Sequence, residues 1–426
     1  MTSAALALTA ALVFAWGAFS ARLERADLTA PVVFVGLGTL LAGSVHADVD
    51  AAGITVLTEA TLAWVLFSDA ARVGVRELRG DAGVYGRLLG LALPLTVVLG
   101  SVLAWALLGV VLPWYALLIG AALAPTDAAL GAVVITHPAV PARIRRILNV
   151  ESGLNDGIVT PVVMVALAGA ASTGGEADAG VLTAALQLAG GALIGAAVGS
   201  LGGRLLRAAG RRGWTGDSFA GPAVLALALV AYAASVAGHG NGFVAAFAGG
   251  IAFGHVAGPR GPREVFYIDE TAGLASLLVW LLFGVYAVPA LLGGIDATML
   301  VYAVLSLTVV RMVPVALSLI GSGLGGRTVL FAGWFGPRGL ASVVFALLAL
   351  EQLHERAAPA VAAIVLTVLL SVVAHGVSAG PLAARYGAAS RSAGPASVHE
   401  PAATARLRRS LPGRDSGAAV TSGGTP

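Results

Sequence analysis

Apolar stretches of about 17 to 25 residues, the length that crosses a hydrocarbon core, recur from one end of this chain to the other. They lie at roughly 4–19, 29–45, 54–71, 86–111, 113–135, 147–171, 181–206, 219–236, 241–257, 270–292, 297–320, 328–350 and 358–380. The pattern predicts an all-α polytopic membrane protein of about thirteen transmembrane helices, with no soluble domain left over. The first stretch has no charged segment before it and no Ala-x-Ala site after it, so a retained helix is expected and not a signal peptide. From about Ala388 to Pro426 the period disappears into Ala, Ser, Gly and Pro with scattered Arg, which predicts a disordered tail.

The polar positions between the stretches test this count. Every basic residue is an arginine, and 22 of the 25 fall in alternate connections or in the tail: Arg22 and Arg25, then Arg72 to Arg87, Arg143 to Arg146, Arg204 to Arg212, Arg260 and Arg263, Arg327, and Arg385 onward. The intervening connections hold Arg356 alone. Positive residues collect on the cytoplasmic side, so the N-terminus is expected outside, the C-terminus in the cytoplasm, and the helix number odd. The expected location is the cell (inner) membrane, crossed many times.

Composition agrees: 58% of residues are hydrophobic and 11% charged, with a mean hydropathy of +0.90, against about 25% charged in an ordinary soluble domain. The absence of cysteine excludes disulfides and thiolate chemistry. A net charge of +3 would hint at nucleic acid in a soluble protein, but these arginines sit in short loops between apolar stretches, so no nucleic-acid partner is expected.

Ionisable groups at membrane depth are costly and mark function by default. The deep ones are Asp69, Asp127, Glu151, Asp156, Arg311 and Arg338. The sixth stretch carries Glu151-Ser152-Gly-Leu-Asn155-Asp156-Gly; at helical spacing Glu151 shares a stripe with Asn155, and Ser152 shares another with Asp156. One stripe can engage a basic partner. The other offers a hydroxyl and a carboxylate to a small hard cation. The bland alternative is that these groups glue helices together through hydrogen bonds.

Two stretches are interrupted mid-run. The fifth contains Pro125-Thr126-Asp127 and the twelfth Gly336-Pro337-Arg338-Gly339. Breaks in corresponding positions of two halves point to inverted repeats whose broken helices cross at mid-membrane, the usual place of a transporter site. At such a crossing Asp127 would offset positive half-helix N-termini and Arg338 negative C-termini.

In this order and spacing, Pro125-Thr126-Asp127, the Glu151 to Gly157 element, Arg311 and Gly336-Pro337-Arg338-Gly339 resemble the bacterial NhaP-type sodium/proton antiporters of the cation/proton antiporter superfamily. The resemblance covers about residues 30 to 380. It implies a homodimer in membrane lipid, with a moving core from about 86–171 and 297–380, an interface part from about 1–71 and 219–292, and a linker helix at about 181–206. It implies that Asp156 binds cation or proton with Ser152 and Thr126, that Glu151 with Asn155 is tied to Arg311, and that Asp127 and Arg338 steady the crossed half-helices. Asp69 resembles the acidic third-helix position near the cation route.

The activity so implied is secondary-active exchange of a monovalent cation, sodium first, for protons, with no cofactor and no enzymatic chemistry. Asn155 cannot titrate, so one proton per cation and electroneutral exchange at a single aspartate are expected. A cation channel would use the same carboxylates; an intramembrane aspartyl protease would need Tyr-Asp and Gly-x-Gly-Asp motifs, which are missing.

Overall fold

The computed structural model describes residues 3–24, 26, 28–42, 51–73, 80–110, 112–128, 130–172, 177–258, 261–288, 291 and 294–392. Among these residues every regular element is helical. In chain order they are α1 (Ser3–Glu24), α2 (Ala30–Leu41), α3 (Ala51–Arg72), α4 (Ala82–Leu108), α5 (Pro113–Ala122), α6 (Ala132–Thr136), α7 (Ala142–Ala171), α8 (Ala177–Arg211), α9 (Asp217–Ala237), α10 (Gly242–Val256), α11 (Gly261–Leu282), α12 (Ala297–Leu307), α13 (Val309–Ser318), α14 (Gly326–Trp334), α15 (Leu340–Leu353) and α16 (Ala358–Ser392). Nine spans among the described residues are long and apolar enough to cross a membrane by length and composition, α12 with α13 and α15 with α16 counting as one each. Three shorter apolar ones, α2, α5 and α10, have 12, 10 and 15 residues.

Both expected breaks are present. The fifth stretch divides into α5 and α6, with residues 123–128, 130 and 131 in neither, and the twelfth into α14 and α15, separated by Phe335–Gly339. The gaps touch: the Asp127 backbone N–H donates to the Pro337 carbonyl at 2.8 Å. Proline explains part of each break by withholding a backbone donor. The eleventh stretch is also interrupted, at Thr308 (φ −108°, ψ −85°), which re-aims the turn carrying Arg311.

Small residues let the helices approach backbone to backbone, as membrane packing requires when lipid is as apolar as the side chains. A Cβ on Gly191, Gly195 or Gly199 of α8 would overlap the Asn241, Ala245 or Gly249 backbone of α10. Ion pairs bind helix ends: Arg72 at the end of α3 to Asp269 of α11 at 2.5 Å, and Arg143 near the start of α7 to Asp81, the cap of α4, at 2.7 Å.

Two boundaries differ most from the sequence expectation. Helix α11 begins at Gly261 and not near residue 270, because its first turns (Gly261 to Glu270) are too polar to register as part of an apolar stretch. Asp269 and Glu270 therefore lie inside the helix. Helix α16 continues to Ser392, so residues 388–392, expected in a disordered tail, are helical; the remainder of that expected tail lies outside the described residues.

Candidate cation site at the crossed helices

Asp127 and Arg338 cap the broken helices reciprocally. Oδ2 of Asp127 accepts the Leu340 backbone N–H at 3.0 Å, at the start of α15, where orphan N–H groups and the helix dipole favour an anion. The Arg338 guanidinium donates to the carbonyls of Ala124 at 2.7 Å and Pro125 at 3.4 Å beyond the end of α5, and to Ser306 at 3.3 Å. Ser342 adds a bond to the Ala122 carbonyl at 2.6 Å. A Cβ at Gly339 would overlap the Asp127 carboxylate, so this position requires glycine for the close approach.

Glu151 of α7 and Arg311 of α13 form an ion pair, Oε1 to Nη2 at 2.6 Å, with 3% and 1% of their side chains exposed. A pair this deep has little water to fall back on, so either charge left alone is costly. The Arg311 guanidinium lies against Gly336 of the second break.

Thr126, Ser152 and Asn155 form one cluster. The Thr126 and Ser152 hydroxyls are 2.9 Å apart, and Asn155 Nδ2 donates to Thr126 Oγ1 at 2.7 Å. The three side chains therefore link α7 to the first break, with either hydroxyl able to donate between Thr126 and Ser152. Asn155 is thus bonded to Thr126, whereas the sequence resemblance implied that it joins the Glu151–Arg311 pair. A small cavity of about 10 Å³ adjoins this cluster, lined by Asp127, Ser152, Phe335 and Pro337 among others.

Asp156 is buried one helical turn beyond Ser152. Gly153 and Gly157 flank it on α7. Asp69 of α3 packs on Gly153, its Cβ 3.6 Å from where a glycine Cβ would stand, and the Phe247 ring of α10 lies directly on Gly157. Both glycines make room for a neighbouring helix beside the carboxylate. Sequence reasoning missed the residues of α16 that hold the second break, Ser371, His375 and Ser378; their signal was a polar spacing of four and three within an apolar stretch.

Comparison with known proteins places this architecture. The family described as "Sodium/hydrogen exchanger, transmembrane" matches residues 7–385. The chain belongs to this exchanger family. It is similar to the K(+)/H(+) antiporter NhaP of Alkalimonas amylolytica, at 28% identity over 343 residues, which is 77% of this chain and 57% of that protein. It is also similar to an uncharacterized Na(+)/H(+) exchanger, YjcE, of Escherichia coli (strain K12), at 32% identity over 232 residues, 52% of this chain and 40% of that protein. The chain therefore spans about half the length of these curated relatives. Its fold matches the sodium proton antiporter MjNhaP1 of Methanocaldococcus jannaschii at pH 8, with a TM-score of 0.74 at 18% identity, covering 90% of this chain and 98% of that one. An electron-microscopy map of the same antiporter gives 0.70 at 19% identity with the same coverage.

Proposed function

We propose that this exchanger-family member is a transporter that moves a monovalent cation against protons at Asp156, with Ser152 and Thr126 as further oxygen ligands. The observation that carries this reading is the meeting of two chemically capped helix breaks with the Thr126–Ser152–Asn155 cluster, one turn from a buried carboxylate. Hydroxyl and carboxylate oxygens suit a dehydrated alkali ion, and proton and cation compete for one carboxylate. Competition combined with alternating access couples the two fluxes. The reciprocal caps favour the two breaks moving as one body, with the core at about 86–171 and 297–380 shifting against the part at about 1–71 and 219–292, and Asp69 beside the cation route.

In this reading the chain makes about thirteen crossings of the cell (inner) membrane as a homodimer, with its N-terminus outside, and serves pH homeostasis. Sodium is the first candidate; the named activity of the Alkalimonas relative puts potassium in the same test. Exchange at a single aspartate moves one proton per cation and no net charge. The test is cation-induced dequenching of a pH dye in proteoliposomes across sodium, lithium and potassium chlorides, with the membrane potential clamped. Asp156→Asn is expected to abolish exchange in folded protein. Full activity in that variant removes Asp156 from the mechanism, a channel-like flux without obligatory proton movement overturns exchange, and a marked voltage dependence overturns electroneutrality.

A further inference from the structure

Ser371, His375 and Ser378 are spaced so that they share one face of α16, and this face holds the second break. The Arg338 backbone N–H donates to Ser371 Oγ at 2.7 Å. Nε2 of His375 lies 3.0 Å from the carbonyl of Trp334, the last residue of α14, and the Trp334 indole donates to Ser378 Oγ at 3.0 Å. The Trp334 and His375 rings lie with centroids 5.1 Å apart. His375 is 2% exposed, and its Nδ1 sits 3.1 Å from Ser371 Oγ and 3.0 Å from the Ser371 carbonyl.

Nδ1 faces both the hydroxyl and the carbonyl of Ser371, so the protonation state decides which of them it bonds. The Trp334 carbonyl can only accept, so Nε2 carries a hydrogen. In the neutral ring Nδ1 is then an acceptor for the Ser371 hydroxyl, whose oxygen still takes the Arg338 N–H. Adding a proton turns Nδ1 into a donor. It then donates to the Ser371 carbonyl, which it already faces at 3.0 Å, and the Ser371 hydroxyl loses the acceptor that fixed its direction. The new charge also faces Arg338 and Arg311. On the other elements packed against α16, α2 and α6 have no titratable residue, α5 has Tyr115, and α12 has Tyr302. Helix α14 has Arg327 in its first turn, α15 has Glu351 in its last, and His354, Glu355 and Arg356 follow in the distal turn.

The break so held leads directly to the candidate site. Ser371 fixes the Arg338 backbone, the Arg338 guanidinium fixes the Ala124 and Pro125 carbonyls, and the next residue is Thr126. We infer that His375 is a positioning residue for transport: its neutral Nε2–H form holds the break in register with Thr126, and proton uptake by His375 loosens that hold and slows exchange. The inference rests on the exchange reading but concerns a proton that is not the one transported.

The experiment separates the two protons through kinetics. Competition at Asp156 raises the cation KM as pH falls and is overcome at saturating cation, whereas the His375 effect remains in Vmax. In proteoliposomes with equal pH on both sides, wild-type Vmax is expected to fall about tenfold per pH unit below the midpoint. His375→Gln, which keeps a donor for Trp334 and cannot take up the proton, should hold Vmax within about twofold over the same range while its KM still rises. An acid limb of Vmax unchanged in His375→Gln overturns the inference. Should that variant fail to fold, Ser371→Ala tests the same chain: the neutral ring loses the hydrogen bond it accepts, so the Vmax midpoint should move to higher pH, and an unmoved midpoint overturns the inference. Tryptophan fluorescence of purified wild-type protein reports the same event without transport, since the Trp334 indole faces the ring. An acid-dependent change that Trp334→Phe removes is expected, and a wild-type signal that does not respond to acid overturns it. Flux without obligatory proton movement refutes the exchange reading, and exchange that survives in Asp156→Asn removes Asp156 from it; either leaves the fluorescence result standing.

Discussion

The Glu151–Arg311 pair allows a quantitative test because its surroundings are unequal. At a charge separation of roughly 4 Å and an effective dielectric of about 20, one ion pair is worth about 4 kcal/mol, in line with the roughly 3 to 5 kcal/mol lost when one member of a buried pair is removed. Arg338 lies within electrostatic reach of both partners. Removing Glu151 strands two guanidiniums beside each other at the second break, whereas removing Arg311 leaves a carboxylate that still feels Arg338. Glu151→Ala should therefore cost about 4 to 5 kcal/mol and Arg311→Ala about 2 to 3, and the double variant clearly less than the sum. The assay is chemical denaturation of detergent-purified protein, with each single variant and the double forming a cycle. A coupling energy near zero, or Arg311→Ala more damaging than Glu151→Ala, would refute the assigned asymmetry.

Three further outcomes follow from the geometry. Asp127→Ala should lose the charge-assisted bond to Leu340 and destabilise the protein by about 1.5 to 3 kcal/mol, with Asp127→Asn milder because an acceptor remains; equal losses in denaturation midpoint would contradict the cap. Gly157→Val should drive a side chain into the Phe247 ring and slow exchange more than Gly157→Ala, measurable as initial dequenching rates, and wild-type rates in both would mean that this contact is not maintained during transport. Asp296 caps α12 through the Met299 N–H and the Thr298 hydroxyl, both at 2.7 Å, bonds that hold its carboxyl below the usual carboxylate range. A depressed folded pKa contributes stability above the unfolded value, about 3.9, that is lost as pH falls through the folded one. Asp296→Ala should thus melt lower than wild type at pH 7 and converge with it below about pH 4; a difference that persists in acid would assign the effect to something other than this carboxylate.

Much of this architecture was legible in the sequence because charge inside an apolar stretch is rare. Asp127, Glu151, Arg311 and Arg338 stood out for that reason, and proline located both breaks. Partners were harder to read. Asn155 lies on the same stripe as Glu151, yet its amide turns to Thr126, a choice set by how close the first break comes to α7 and invisible to helical spacing. His375 escaped notice because one imidazole in an apolar helix looks like any hydrogen-bonding glue; its significance comes from the carbonyl of Trp334, which becomes an orphan acceptor only once α14 is known to stop there. The start of α11 was missed for the opposite reason, since Asp269 is buried by pairing with Arg72 and not by apolar neighbours.

The crossed caps also bear on biogenesis. The α5 carbonyl of Ala122 and that of Ala124 just beyond it find their donors in Ser342 and Arg338, 220 and 214 residues further along the chain. A ribosome making this protein releases the first broken helix into the bilayer long before those donors exist, and backbone groups left open in hydrocarbon cost several kcal/mol each. The nascent first half must wait in an incomplete state, shielded by water, by lipid headgroups or by an insertase, until the second half arrives to close it. Chains truncated anywhere before residue 338 should therefore be recognised as unfinished by membrane quality control, however hydrophobic and well packed their remaining helices are.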